Sequence, residues 1–129
     1  MNTKRILIID DEADFCKLVK KNLELMGDVE VSIATDSRLG IASAKKIRPH
    51  LILLDIMMPY IDGFRILEKL KEDRTTVAIP VVMLSAKGDE DSMNKALKLH
   101  NEDYVTKPIE ASELKAKIDA VFAKKGFGN

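Results

Sequence analysis

Short aliphatic runs recur along this chain with room for one helix between each pair, and that alternation restricts the fold more than any other feature. Arg5-Ile6-Leu7-Ile8-Ile9, Leu51-Ile52-Leu53-Leu54 and Val81-Val82-Met83-Leu84 are nearly continuous in apolar character, as strands buried on both faces are. Val29, Val31 and Ile33 alternate as an edge strand does, and Tyr104-Val105 supplies a short fifth run. Helical patterns fill the gaps. Residues 12–26 carry Phe15, Leu18, Val19, Leu23 and Met26 on one stripe, with Gly27 as a stop. Residues 37–47 bear Gly40, Ile41, Ala44 and Ile47 toward the sheet and end ahead of Pro49. Phe64, Leu67 and Leu70 build a helix after the loop marked by Pro59 and Asp62-Gly63. Residues 89–99 place Met93, Ala96 and Leu97 inward, and a last helix from near Glu110 carries Ala111, Leu114, Ile118, Val121 and Phe122. Five such β–α units predict an α/β fold with a parallel sheet covered on both faces.

The 129 residues suit one domain, expected over 1–124, with 125–129 as a tail or the start of a linker. An apolar fraction of 46% is enough for a real core. Twenty-one basic and 21 acidic residues leave no net charge, so neither nucleic acid nor a membrane surface is an expected partner. No apolar run approaches the length of a membrane span, and the first strand is too short for a signal-peptide core. Cys16 has no partner for a disulfide and reads as a reduced, partly buried thiol. A cytoplasmic location is expected.

The ends of the strands carry the chemistry. The first run stops on Asp10-Asp11, the third on Asp55, the fourth on Ser85, and the fifth leads through Thr106 to Lys107-Pro108. Parallel strands bring all four ends to one edge, where an open α/β sheet holds its ligand. Asp11, Glu12 and Asp14 taken alone read as ordinary acidic residues complementing a helix dipole. Asp55 changes the weighing, because two carboxylates about 4 Å apart repel by roughly 4 kcal/mol at an effective dielectric of 20. Such a site raises a pKa or binds a cation. Carboxylates with a backbone carbonyl suit Mg²⁺, and no His or Cys stands among them to favour zinc or copper. Ser85 alone reads as a turn residue and Lys107 alone as a solvated one. Together at one edge they suit a hydroxyl donor and an ammonium for a transferring phosphoryl group.

With these residues assembled, the chain resembles the receiver domain of two-component response regulators, from Lys4 to about Ala123. The resemblance rests on Ile9-Asp10-Asp11-Glu12, on Leu54-Asp55 followed by Met58-Pro59 and Asp62-Gly63, on Leu84-Ser85-Ala86-Lys87, and on Asp103-Tyr104-Val105-Thr106-Lys107-Pro108. It implies a doubly wound, flavodoxin-like sheet of order 2-1-3-4-5. It further implies that Asp55 is the phosphoacceptor, attacking a phosphohistidine on a sensor histidine kinase or a histidine phosphotransfer protein. Asp11 would hold Mg²⁺ directly and Asp10 mainly through water, with Asp55 and the Met57 carbonyl as further ligands; Mn²⁺ can substitute. Lys107 would neutralise the phosphoryl oxygens, Ser85 would bond one of them, and the Lys107-Pro108 bond would be cis. Ser85 and Tyr104 would form a switch that alters a surface of the fourth helix, fifth strand and fifth helix. An unknown downstream protein or fused output domain, or a phosphorylation-dependent homodimer, would read that surface. Such a domain is not an enzyme beyond Mg²⁺-dependent self-phosphorylation and autodephosphorylation. Met57 and Lys87 flank the water path, and since neither orients water as an acidic or amide side chain would, slow autodephosphorylation is expected.

His50 replaces an acidic residue common in the family, at a loop where little consequence is expected. Leu99-His100-Asn101-Glu102 stands where many receivers have a Gly-Ala pair, with Asn101 able to take the left-handed conformation and His100 read as a surface residue. Three rivals share parts of the pattern. A haloacid-dehalogenase-type phosphatase needs a second Asp where Met57 stands. A flavodoxin-like flavin module needs a Ser/Thr/Gly-rich phosphate loop after the first strand, and a nucleotide P-loop is absent. A degenerate receiver, acting only as a scaffold, would not need its full set of site residues.

Overall fold

The computed structural model describes residues 3–86 and 103–126. In chain order these form β1 (Lys4–Ile9), α1 (Ala13–Met26), β2 (Val29–Ala34), a 3-10 turn (Ser37–Leu39) leading into α2 (Gly40–Ile47), β3 (Leu51–Asp55), α3 (Gly63–Glu72), β4 (Val81–Ala86), β5 (Asp103–Lys107) and a C-terminal helix (Ala111–Lys124). The sheet has the order β2-β1-β3-β4-β5, and every neighbouring pair is parallel. The helix expected at 89–99, the residues Leu99-His100-Asn101-Glu102 and Lys87 lie outside the described residues. Among the described residues, no helix is long and apolar enough to cross a membrane.

Alternation along the strands divides the core in two. Ile6, Ile8, Leu51, Leu53, Val82, Leu84 and Val105 cluster with residues of α1 and the C-terminal helix. Leu7, Ile9, Ile52, Leu54, Val81 and Met83 cluster with Ala44 of α2 and with Phe64, Ile66, Leu67 and Leu70 of α3. Each buried aliphatic side chain contributes about 1.5–3 kcal/mol, and two buried faces hold the strand ends in fixed register.

The stripe expected on α1 needs correction. Its buried face is Cys16, Val19 and Leu23, while Leu18 is 58% exposed and Met26 43%. Leu18 lies about 100° around the helix from Val19, so both cannot face the sheet. The small Cys16 thiol takes the central place and is fully buried, not partly so.

His50 also departs from expectation. Its Nδ1 accepts the Arg5 main-chain N–H at 2.8 Å, and its own N–H donates to the Arg5 carbonyl at 2.7 Å. The Arg5 guanidinium then caps the carbonyls of Ile47 (3.2 Å) and Arg48 (2.7 Å) at the end of α2. His50 thus links β1 to the entry of β3. Burial, then the charges of Arg5 and Lys4, hold its pKa below the usual value, which keeps Nδ1 available as an acceptor.

At the opposite ends of the strands, Ser37 joins two loops. Its Oγ donates to the Pro59 carbonyl (2.6 Å) and accepts the Ile61 N–H (3.2 Å). Beside it the Arg38 guanidinium lies 3.9 Å from the Tyr60 ring centroid, over a residue held at φ 73°. Gly63 closes the same loop with an N–H to the Ile56 carbonyl at 2.8 Å. A Cβ at Gly63 would collide with the Asp55 carbonyl and lie 2.8 Å from Ile56 Cα. The outer border of β2 is covered by side chains of α1: the Val31 N–H donates to Glu24 (2.9 Å) and the Val31 carbonyl accepts from Lys20 (2.7 Å). Lys20 and Glu24 pair with each other at 2.8 Å.

Candidate functional site

The ends of β1, β3 and β5 bring Asp10, Asp55 and Lys107 together. Asp10 follows β1, Asp55 ends β3, Ser85 lies near the end of β4 and Lys107 ends β5. Asp10, Asp11 and Asp55 each present a carboxylate oxygen, and these oxygens lie within 4.8 Å of one another. Asp10 and Asp55 are buried and Asp11 is exposed. One Asp10 oxygen accepts the Glu12 N–H at 2.9 Å. The other is buried with no hydrogen bond of good direction, and the Lys107 ammonium makes an ion contact to it at 2.6 Å. Lys107 also donates to Glu12 Oε1 at 2.7 Å and stands 3.7 Å from Asp55 Oδ1. The Lys107-Pro108 peptide is cis.

Burial dominates the electrostatics. It raises the Asp55 pKa to about 7, helped by the negative charge of Asp10 and opposed by Lys107. Burial likewise raises Asp10 above the usual carboxylate range, against the stabilising Lys107 and Glu12 N–H contacts. For Lys107, burial works against the charge, but the bonds to Asp10 and Glu12 outweigh it and its pKa is raised. Cys16, whose thiol donates to the Asp10 carbonyl at 3.3 Å, is pushed up to about 12 by burial and then by the Asp10 charge. It is a neutral structural donor. Two buried carboxylates and the exposed Asp11 against one nearby ammonium gather negative charge at one edge, and hard oxygen donors of this kind fit a divalent cation.

Ser85 is fully buried. Its Oγ shares a 2.5 Å hydrogen bond with the Tyr104 hydroxyl, and Tyr104 packs, partly buried, on the core face that holds Leu54 and Met83. The two residues expected to act together are already in contact. Met57 lies in the loop after β3 with its side chain exposed. Beside Lys107, a cavity of about 430 Å³ opens between α1 and the start of the C-terminal helix, walled by Phe15, Leu18, Val19, Pro108, Ile109 and Leu114.

Sequence reasoning missed Glu12 as a partner of Lys107. A third acidic residue at a helix start reads as dipole complement, and nothing local reveals that a lysine 95 positions away ends beside it. It also missed the Ser37 link, since a serine after a strand resembles any turn residue.

A five-stranded sheet of this order, with carboxylates at the ends of its central strands and a lysine before a cis proline, defines a signalling receiver module. The chain belongs to the response regulator receiver domain family, which matches residues 6–119. It is similar to the phosphate regulon transcriptional regulatory protein PhoB of Pseudomonas aeruginosa, at 40% identity over 98% of this chain and 55% of that protein. It is 39% identical to the DNA-binding dual master transcriptional regulator RpaA of Synechocystis, over 93% of this chain and 49% of that one. The chain spans about half the length of these relatives. Among solved structures, a receiver domain from Clostridium thermocellum superposes with a TM-score of 0.86 at 30% identity, covering 95% of this chain and 97% of its own. A putative response regulator from Chloroflexus aurantiacus superposes at 0.88 with 25% identity, covering 95% and 99%.

Proposed function

We propose that this receiver domain accepts a phosphoryl group on Asp55 from a histidine kinase or phosphotransfer protein, and that the acyl phosphate resets the Ser85–Tyr104 pair. The observation that carries the reading is the meeting of Asp55 with Asp10, Asp11 and Lys107 at one edge of the sheet. In the step, an ionised Asp55 oxygen attacks phosphorus, a P–O bond forms, and the P–N bond to the donor imidazole breaks. The donor nitrogen keeps the electron pair and takes up a proton. Lys107 offers its ammonium to the phosphoryl oxygens, and Ser85 trades its Tyr104 bond for one of them. Mg²⁺ held by Asp10, Asp11 and Asp55, with the Met57 carbonyl, would offset the negative charge that carboxylates and phosphoryl group bring together. Mn²⁺, with the same preference for oxygen ligands, can replace it.

The apolar cavity beside Lys107 supports docking of a protein donor, because it offers side-chain-sized volume next to the reacting edge. The names of the relatives, both transcriptional regulators, support an output in gene control exerted through a segment beyond this domain. The domain is read as residues 1–124, with 125–129 leading outward. Incubation with acetyl phosphate and Mg²⁺ should add one phosphoryl group, read by intact mass. A chain that stays unmodified, or an Asp55→Asn variant labelled as well as the wild type, overturns the proposal.

A further inference from the structure

Lys107 has two immediate anionic neighbours, and one of them lies outside the cluster of Asp10, Asp11 and Asp55. Its ammonium is as close to Glu12 (2.7 Å) as to Asp10 (2.6 Å), and 3.7 Å from Asp55. The Phe15 ring lies 4.3 Å below it, so the lysine is held toward α1. The Glu12 side chain is 62% exposed where the Lys107 side chain is 14% exposed, which makes Glu12 the partner that can let go. Its main chain does separate work: the N–H bonds Asp10 and the carbonyl accepts the Cys16 N–H at 3.0 Å. The side chain makes no capping bond to α1. The carboxylate can therefore be altered without dismantling the turn.

We propose that Glu12 is a positioning residue whose carboxylate competes with an anion on Asp55 for the Lys107 ammonium, and so lowers the readiness of the site to take a phosphoryl group. The inference rests on Asp55 as phosphoacceptor. A cation held by Asp10, Asp11 and Asp55 would compete with Lys107 for Asp10 and leave the Glu12 contact intact. An anion arriving at Asp55 must then draw the ammonium off Glu12. A partly exposed ion pair is a modest brake, which suits a setting rather than a block.

The test uses trifluoroberyllate, a tetrahedral phosphoryl mimic, titrated with saturating Mg²⁺ and followed by amide NMR shifts. Glu12→Gln should bind it about two- to fivefold more tightly than the wild type, the range expected for loss of a partly exposed pair. Glu12→Ser, which adds a good helix cap, should change affinity in the same sense. Asp14→Asn removes an equal charge from the same helical turn and should change affinity less than about twofold. Before any ligand is added, the Lys107 ammonium ¹⁵N signal should shift in Glu12→Gln and stay in place in Asp14→Asn. Unchanged or weaker binding by both Glu12 variants, or an Asp14→Asn effect equal to theirs, overturns the inference. Silence of the wild type toward trifluoroberyllate overturns the phosphoacceptor reading, and this inference with it.

Discussion

The two ends of β1 and β3 are built on opposite principles. At the amino end, Arg5 and His50 exchange two main-chain-anchored hydrogen bonds, and the arginine head closes the carbonyls of α2. The groups there are matched donor to acceptor, and the ring is kept neutral. At the carboxyl end, Asp10 and Asp55 are buried side by side with pKa values driven up. One end holds the strands together, and at the other Lys107 only partly offsets the cost of burying two carboxylates. Stability and chemistry are separated by the length of a strand.

Asp55→Asn tests that division most severely. It should abolish phosphorylation entirely while leaving the fold intact, as intact mass and circular dichroism would report. A variant that fails to fold would mean the carboxyl end also holds the structure. Gly63→Ala attacks the backbone frame of the same end. The added methyl meets the Asp55 carbonyl, and a destabilisation of about 3 kcal/mol is expected in urea unfolding.

The pH response sharpens the contrast, because the two ends have opposite signs. Asp55 ordinarily titrates at 3.8 and in the fold near 7. The folded state holds an extra proton across that window, so stability falls as pH rises through it. His50 is lowered from 6.5, so its contribution is present above that value and is lost on acidification. Without divalent ions, Asp55→Asn should gain about 1–3 kcal/mol at pH 8 and flatten the decline between pH 3.8 and about 7. Millimolar Mg²⁺ should recover part of the same loss in the wild type, and a chelator should reverse it. A decline on the way up to neutral pH that Asp55→Asn leaves untouched would place the strain elsewhere. The smallest effect is expected at the other end. His50→Ala should lose about 1–2 kcal/mol, remove the acid-side decline and leave Mg²⁺ affinity unchanged.

The sheet was legible because aliphatic runs and helical stripes are local patterns, and because parallel strands force a crossover between neighbours. The site was legible for a related reason: strand ends at one edge must converge, so Asp10, Asp55 and Lys107 meet whatever the loops do, while the Ser85 hydroxyl is engaged by Tyr104. Contacts depending on where a long side chain finally points were not. Glu12 and Lys107 are 95 positions apart, and their pairing follows from the lean of the lysine toward Phe15. The α1 stripe misled because Leu18 looks like a core residue by type, whereas the angle set by Val19 and Leu23 turns it outward. His50 looked incidental because a ring nitrogen accepting a main-chain N–H leaves no periodic trace.

The side chains of Lys20 and Glu24 lie across the open border of β2 and occupy the outward N–H and carbonyl of Val31. A second chain pairing with that strand would first have to pry this helix-borne clasp off Val31, which disfavours cross-β growth at the middle of this flank.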